Sequence, residues 1–323
     1  MKEGDWPSIV ITGPTASGKG ALGFELAARL GGEIISLDSM KVYREMEVGT
    51  AKPPASRRER VPYHLLDLKE PHESFSVGEY LPLLEEKLSE VAARKRPAIL
   101  VGGTALYLKA FVDGFQAGPV ANWQLRERLF DEAAQNGLEE LHARLRAADP
   151  KAATKIHPKD ARRIVRALEV LEATGTPISE AWAWGAEAHR AGALRIFGVE
   201  WPREDLYARI DRRVERMVEG GLFEEALRLQ QRTPPLSRCA AQSIGLKEIW
   251  RGVAEGRPRA DIVAKVQQET RRFAKRQMTW FRKLPIEWLS PPAQDQDAAA
   301  PALADEVLRK LLVREPSGGP PAA

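Results

Sequence analysis

The chain has 323 residues, of which 43% are hydrophobic and 29% charged, a composition typical of a globular protein with one large or two ordinary domains. No run of about eighteen apolar residues is present, so we expect no membrane span. A single cysteine, Cys239, and the absence of an apolar leader at the N-terminus predict a cytoplasmic protein without internal disulfides. The formal net charge of +4 permits a nucleic-acid partner but does not require one.

The first informative segment is a glycine-rich loop between a predicted strand and a predicted helix. Residues 8–12 form a short apolar run typical of a buried parallel strand, and residues 21–30 have helical periodicity. The loop has the G-x-x-x-x-G-K frame in which backbone N–H groups, a helix N-terminus and a lysine bind phosphate oxygens. An ordinary glycine-rich turn is the alternative. A di- or triphosphate is the predicted ligand of Gly13, Pro14, Thr15, Ala16, Ser17, Gly18, Lys19 and Gly20.

Further apolar runs predict a parallel sheet covered by helices. The additional strands are expected at 33–38, 64–67, 98–101, 195–201 and 286–289. Three strands end in polar or glycine residues, namely Thr12, Asp38-Ser39 and Gly102-Gly103-Thr104. Because ligands of open parallel sheets bind at the carboxyl ends of the strands, we expect these three segments to form one pocket.

The strand pattern is absent between residues 116 and 194, which predicts a helical insertion domain there. Within it we expect two helices over 122–148, broken near Asn136-Gly137, and a third over 161–174. The α/β core then consists of 1–115 and 195–290, with further helices at 76–96, 203–231 and 260–284. Residues 291–323 form a tail rich in Pro, Ala and Gly, whose end at 315–323 is expected to be disordered.

Two basic segments lie outside the predicted phosphate site. Residues 271–283 include six basic side chains, no acidic one and several aromatic residues, and a second basic segment spans 155–166. A basic face with aromatic residues at its edge suits RNA, whereas a solvated face of an amphipathic helix is the alternative for either segment alone. Together the two segments favour a large anionic partner in addition to the small phosphate ligand.

Several strings, in order along about residues 8–290, resemble one family, the tRNA dimethylallyltransferases. The most distinctive are GTAKP at 49–53 and KRQMTWFR at 275–282. The others lie at 13–19, 35–43, 64–67, 101–107, 156–160, 166–170 and 244–248. The resemblance implies a P-loop NTPase-like fold and a prenyl transfer from dimethylallyl diphosphate to the exocyclic amine of the adenosine that follows the tRNA anticodon.

The resemblance also implies roles for individual residues. The loop and Lys19 would hold the diphosphate, Asp38 would take the proton of the attacking amine, and Thr104 would hydrogen-bond near both groups. Arg213 matches a diphosphate-binding arginine, with a surface position on a helix as the alternative. Mg²⁺ is the implied cofactor, and Asp38 is the predicted residue of the metal site. For its role as base, the alternatives are a helix cap or a residue that holds magnesium through water.

The implied partners are dimethylallyl diphosphate and the tRNA anticodon stem-loop, bound by a monomer. The target base must be flipped out of the stack to reach the pocket. The residues that match tRNA-contacting segments are Asp38, Ser39, Met40, Lys41, Thr104, Arg126, Arg162, Arg163, Arg166, Gln242, Lys247, Lys275, Arg276, Gln277, Thr279, Trp280 and Arg282.

Four residues depart from the family pattern. Gly20 replaces the hydroxyl residue that binds magnesium, Lys41 stands in place of Gln, Lys159 in place of Asn, and Leu246 in place of Tyr. Loss of the hydroxyl predicts weaker metal binding, with water in its place. Two other functions therefore stay open: a homologue that binds tRNA with little transfer, and a small-molecule P-loop kinase or adenylate prenyltransferase.

Overall fold

The computed structural model describes residues 8–114, 121–181, 194–292 and 296–312. Its strands are β1 (Ser8–Thr12), β2 (Glu33–Ser36), β3 (Tyr63–His64), β4 (Ala98–Val101), β5 (Leu194–Val199) and β6 (Glu287–Leu289). They form one parallel sheet in the order β3-β2-β4-β1-β5-β6. The predicted α/β fold is thereby confirmed.

The central strand is apolar on both faces because it is covered on both sides. Ile9, Val10 and Ile11 are fully buried, as expected for a parallel strand with helices above and below the sheet. Val10 is in register with Leu100 of β4 and Ile196 of β5. The helices are α1 (Lys19–Leu30), α2 (Ala55–Arg58), α3 (Val77–Ala93), α4 (Ala105–Asp113), α5 (Trp123–Asn136), α6 (Leu138–Ala148), α7 (Pro150–Lys155), α8 (Ala161–Thr174), α9 (Ile178–Ala181), α10 (Arg203–Glu219), α11 (Leu222–Gln230), α12 (Leu246–Ala254), α13 (Arg259–Phe281) and α14 (Gln296–Leu312).

The third strand is shorter than the predicted 64–67. It ends at His64 because Leu65 and Asp67 have φ angles of 59° and 55°. These left-handed conformations are incompatible with an extended strand. Sequence patterns do not reveal this backbone reversal, since neither residue is glycine.

The chain divides into two compact units. The first consists of Met1–Phe75, Pro82–Lys109 and Arg190–Ala323, and it contains the sheet. The second consists of Ser76–Leu81 and Ala110–His189, and its core includes Leu129, Leu141, Leu145, Ile164 and Leu168. The insertion is predicted at 116–194. Its first residues, 116–120, and residues 182–193 near its end lie outside the described ranges.

Two helices of the second unit begin at side-chain caps, and the predicted break between α5 and α6 is present. Asn122 caps α5 by accepting the N–H of Leu125 at 3.0 Å, and Asp160 caps α8 by accepting the N–H of Arg163 at 3.2 Å. Gly137, at a φ of 91°, separates α5 from α6. Within the described ranges, no helix combines the length and the apolar character that a membrane span requires.

The C-terminal tail contains a helix that the sequence analysis did not predict. α14 buries Leu303, Ala304 and Val307 in the core that α1 also lines. The Arg29 guanidinium of α1 binds the Asp305 carboxylate at 2.6 Å. The composition of the tail, rich in Pro, Ala and Gly, suggested a loose segment. The buried residues of α14 nevertheless recur at helical spacing. The end predicted to be disordered, 315–323, lies outside the described residues.

Candidate active site

Three strand ends of the first unit meet at one edge of the sheet, as predicted. After β4, a Cβ atom at Gly102 would lie 1.9 Å from the carbonyl oxygen of Leu37, which follows β2. A Cβ at Gly103 would lie 3.3 Å from Nζ of Lys19, at the start of α1. The hydroxyl of Thr104 accepts the N–H of Ser39 at 3.0 Å. Glycine at 102 and 103 therefore permits the close approach on which the pocket depends.

The loop after β1, which the sequence predicts to bind phosphate, is closed by its own backbone and by Lys19. The N–H of Ser17 donates to the carbonyl of Pro14 at 3.2 Å, and Lys19 Nζ reaches the same carbonyl at 3.0 Å. Ala16 and Gly18 have φ angles of 62° and 97°, so the backbone turns sharply before α1 begins. The loop and helix thus bring Lys19 over the predicted diphosphate site.

Three side chains from distant parts of the chain hold this loop. Trp201 Nε1 donates to the carbonyl of Ser17 at 2.8 Å, and Arg209 Nε donates to that of Ala16 at 3.0 Å. The Arg209 guanidinium also lies 4.1 Å from the ring centre of Trp201. Sequence analysis missed Trp201 and Arg209, because nothing local marks a side chain that binds a loop almost two hundred residues away.

The third holder is Gln277 of α13. Its Oε1 accepts the N–H of Thr15 at 2.8 Å, and its Nε2 donates to the carbonyl of Gly103 at 2.7 Å. Gln277 is buried. The resemblance places Gln277 among the tRNA contacts; in the described structure its amide connects the predicted phosphate loop to the turn after β4.

Asp38 lies directly beyond β2 and is half-buried. One oxygen, Oδ1, accepts the N–H of Met40 at 2.9 Å and that of Lys41 at 3.3 Å. This carboxylate therefore caps the turn that follows it, which was the structural alternative, while its position at the strand end also suits a base. The hydrogen bond from the Lys41 N–H places the backbone of Lys41 immediately beside the Asp38 carboxylate.

Lys19, Lys41 and Arg213 form a group of half-buried cations around Asp38. Burial, followed by the charges of Arg213 and Lys41, lowers the pKa of Lys19 to about 7, and Asp38 acts in the opposite direction. Burial also lowers the pKa of Lys41 and of Arg213, and again Asp38 opposes the shift. Arg213 of α10 is half-buried and lies within reach of the charge of Asp38. Such mutually repelling cations are suited to an anionic ligand.

The donor set for a metal ion is sparse. Gly20 has no side-chain oxygen, and Asp38 Oδ1 is already hydrogen-bonded to two N–H groups. Among the described residues, no group of three or more His, Cys, Asp or Glu side chains is placed to hold a metal ion. A Cβ added at Gly20 would meet no atom within 4 Å, so a hydroxyl side chain would fit there. The residues present therefore do not reproduce the protein ligands that a P-loop normally offers Mg²⁺.

Two of the family-like strings meet in an ion cluster around the buried side chain of Lys52. Lys52 Nζ donates to the carbonyl of Tyr43 at 2.5 Å, to Glu47 at 2.8 Å and to Asp67 at 2.5 Å. Arg58 binds the second oxygen of Asp67 at 3.0 Å. The GTAKP string and the residues at 64–67 thus act together to order the segment that follows Asp38.

The same segment is held from α11. The buried Glu225 carboxylate accepts the backbone N–H groups of Glu47, Val48 and Gly49 at 2.7, 2.8 and 2.9 Å. A carboxylate with three N–H donors fixes a loop firmly. Sequence analysis did not identify Glu225, since the contact joins residues about 180 positions apart in the sequence.

In the second unit, two of the predicted tRNA-contacting arginines have structural partners. The fully buried Glu169 carboxylate accepts Arg126 Nε at 2.9 Å and Arg166 Nη1 at 2.6 Å. By contrast, Arg162 and Arg163 are exposed on the first turn of α8. Lys159, one of the departures from the family pattern, is also exposed.

The end of α13 presents its basic residues to solvent in the first unit. Trp280 is 38% exposed, whereas its neighbour Phe281 is fully buried, so the two aromatic side chains lie on different faces of the helix. The fourth departure, Leu246, is buried. The predicted contacts that are exposed in this unit are Gln242, Lys247, Lys275, Arg276, Thr279, Trp280 and Arg282.

Sequence comparisons agree on one group of proteins. The family described as IPP transferase matches residues 41–284. The tRNA dimethylallyltransferase of Geobacter metallireducens is 43% identical over 299 residues, which cover 91% of this chain and 96% of the relative. The tRNA dimethylallyltransferase of an Anaeromyxobacter species is 46% identical over 297 residues, which cover 90% of this chain and 97% of the relative.

Solved structures of transferases from the same group of proteins are also similar to this chain. The full-length tRNA isopentenylpyrophosphate transferase of Bacillus halodurans is 37% identical, with a TM-score of 0.65, and the match covers 95% of this chain and 97% of that one. A eukaryotic dimethylallyltransferase, solved in crystallographic snapshots of its action on tRNA, is 26% identical with a TM-score of 0.78. That match covers 98% of this chain and 82% of the eukaryotic protein.

Proposed function

The chain belongs to the IPP transferase family, and from that premise we propose that it is a tRNA dimethylallyltransferase. It transfers a dimethylallyl group from dimethylallyl diphosphate to the exocyclic amine of the adenosine 3′ to the anticodon. The observation that supports this best is the group of Lys19, Arg213, Thr104 and Asp38 at the carboxyl ends of the parallel strands. It combines two cations, a hydroxyl and a carboxylate near one edge of the sheet.

The proposed reaction uses these groups as follows. The amine nitrogen forms a bond to the first allylic carbon while the bond from that carbon to the diphosphate oxygen breaks, and the electron pair leaves with the diphosphate. Lys19, Arg213 and the loop N–H groups stabilise the charge that develops on the leaving group. Asp38 accepts the proton that the amine loses. Thr104 orients the amine or the diphosphate through its hydroxyl.

We further propose that tRNA binds through its anticodon stem-loop to the exposed basic residues. The surface at the end of α13, with Lys275, Arg276 and Arg282 beside the exposed Trp280, supports this by its charge and its aromatic side chain. Arg162 and Arg163 are the corresponding candidates in the second unit. A cytoplasmic location, a monomeric state and a role for Mg²⁺ remain predictions from the sequence.

The test is transfer to an unmodified tRNA whose anticodon is followed by adenosine. The protein is incubated with dimethylallyl diphosphate and Mg²⁺, and the digested nucleosides are analysed by mass spectrometry for prenylated adenosine. We expect product from the wild-type protein and a loss of about a hundredfold or more in rate for Asp38→Asn. Free adenosine monophosphate is the competing substrate; turnover on it without tRNA would favour an adenylate prenyltransferase. Binding of tRNA without product would favour a homologue that only binds.

A further inference from the structure

The predicted phosphate loop has a backbone conformation that its own residues do not favour. Ala16 has a φ angle of 62°, in the left-handed region that a residue with a Cβ atom rarely adopts. The residue is also buried, with 3% of its surface exposed. Such a conformation persists only where the surrounding structure fixes it. The contacts of the loop at this point therefore decide whether it keeps its shape.

Two buried side chains bind consecutive carbonyl groups at this point of the loop. Arg209 Nε donates to the carbonyl of Ala16 at 3.0 Å, and Trp201 Nε1 donates to the carbonyl of Ser17 at 2.8 Å. The Arg209 guanidinium lies 4.1 Å from the centre of the Trp201 ring, so each side chain restricts the position of the other. Because both side chains are buried, they support the loop from within the protein.

The same hydrogen bonds set the direction of two loop N–H groups. The peptide between Ser17 and Gly18 is trans, and the C=O and N–H of a trans peptide point in opposite directions. Trp201 therefore directs the Gly18 N–H away from its own indole ring. Gly18 is the N-cap residue of α1, so this N–H joins those of the first helical turn, which can bind an anion.

Arg209 acts in the same way on the preceding peptide. By binding the carbonyl of Ala16 it fixes the direction of the Ser17 N–H, which donates to the carbonyl of Pro14 at 3.2 Å and closes the turn. One side chain thus maintains the turn, and the other orients a donor at its end.

We propose that Trp201 and Arg209 are positioning residues for the diphosphate, which hold the loop in its binding conformation before the ligand arrives. Without them the left-handed conformation of Ala16 would be populated for only part of the time, and the apparent Kd rises as that population falls. That the ligand is a diphosphate rests on the proposed function, whereas the support of the loop rests on the contacts of these two side chains.

The experiment measures the Kd and the stoichiometry of inorganic diphosphate binding by titration calorimetry at one fixed Mg²⁺ concentration. Trp201→Phe keeps an aromatic ring and removes the indole N–H, and Arg209→Met keeps an aliphatic chain and removes the guanidinium. We expect each variant to raise the Kd about tenfold. The stoichiometry should stay at the wild-type value, because it counts folded binding sites and would fall if part of the protein were unfolded.

Two matched controls remove the same chemical groups elsewhere in the same unit. Trp250 Nε1 donates to the carbonyl of Ala226 at 2.7 Å, and the Arg259 guanidinium lies 4.1 Å from the ring centre of Phe223. Neither contact involves the loop. Trp250→Phe and Arg259→Met should therefore each leave the Kd of diphosphate within about twofold of the wild-type value.

Ala16→Gly tests the physical reason for the effect. Glycine adopts a positive φ without the steric cost of a Cβ atom, so the loop should then depend less on its supports. We expect Ala16→Gly to lower the Kd of the Trp201→Phe variant about threefold or more, and to change that of the wild-type protein by less. A general loss of stability would not be repaired by this substitution.

Four results would overturn the inference: an unchanged Kd in either variant, equal losses in the two controls, no recovery with Ala16→Gly, or wild-type protein that does not bind diphosphate. The transfer assay separates this inference from the proposed function. A Kd that depends on Trp201 and Arg209, without any prenylated adenosine, would support the inference and contradict the transferase. Prenylated adenosine from the wild-type protein, together with an unchanged Kd in both variants, would do the reverse.

Discussion

Lys19 shows how a single side chain responds to its site. As a free lysine it would have a pKa near 10.5, but burial and the charges of Arg213 and Lys41 lower that pKa to about 7. In the free protein it therefore loses its charge as the pH rises through about 7. A bound anion reverses this, because it stabilises the ammonium form.

We expect the Lys19 side chain to titrate near pH 7 in an NMR experiment on the free protein, and at a higher pH with diphosphate bound. The affinity for diphosphate should accordingly fall as the pH of the solution rises from 6 to 8. The missing resonance in Lys19→Met identifies the signal. A titration near pH 10.5 in the free protein would contradict the expectation.

Gln277 is the second residue whose role depends on tertiary contacts. Gln277→Ala removes the acceptor for the Thr15 N–H and the donor to the Gly103 carbonyl. We expect the Kd of diphosphate to rise about tenfold, equivalent to about 1.4 kcal/mol, because the phosphate loop is no longer held. Gln268→Ala, an exposed position on the same helix, should leave the Kd unchanged. If tRNA affinity fell while the diphosphate Kd stayed constant, Gln277 would be an RNA contact after all.

At the scale of elements, buried carboxylates hold together parts of the structure that are otherwise rich in exposed charge. Glu225 fixes the 47–49 loop to α11. Glu169 of α8 binds Arg126 of α5 and the N–H of Asn122, and it also pairs with Arg166 of its own helix. Each such carboxylate stabilises its region only while its partners are present, because an unpaired buried charge is costly.

Glu169→Gln tests this for the helical unit. The substitution leaves two guanidinium groups facing an uncharged amide, and we expect the free energy of unfolding to fall by about 3 kcal/mol. Glu172→Gln on the same helix, which is partly exposed and binds Arg128, should cost less than about 1 kcal/mol. Chemical denaturation of both variants provides the comparison, and equal losses would argue against a special role for Glu169.

At the scale of the whole molecule, α14 completes the core of the sheet-containing unit. The family match ends at residue 284, yet Leu303, Ala304 and Val307 lie in the same buried cluster as Leu22 and Leu26 of α1. The helix that begins at the phosphate loop is therefore supported by a segment that follows the family-matched region.

Leu303→Ala should lower the free energy of unfolding by about 2–5 kcal/mol, because it leaves a cavity in that core. The control is Leu312→Ala at the end of the same helix, where the side chain is 71% exposed and the change should stay within about 0.5 kcal/mol. Thermal and denaturant unfolding measure both. A Leu303→Ala variant as stable as the control would mean that α14 packs only loosely on α1.

Sequence alone determined the order of the strands along the chain, the glycine-rich loop, the family and the three strand ends that meet at one edge of the sheet. These features are local: apolar runs, helix signals and short motifs are each contained in a few consecutive residues. The break at Gly137 belongs to the same class.

Only the tertiary structure decided which side chains hold the loop and which face solvent. Gln277 and Trp280 lie within one motif, yet one is buried at the phosphate loop and the other is exposed. Arg126 and Arg166 look like RNA ligands in sequence and are bound to Glu169 in the structure. The physical reason is that burial and pairing depend on neighbours brought together by folding, often more than a hundred residues apart, which no local pattern encodes.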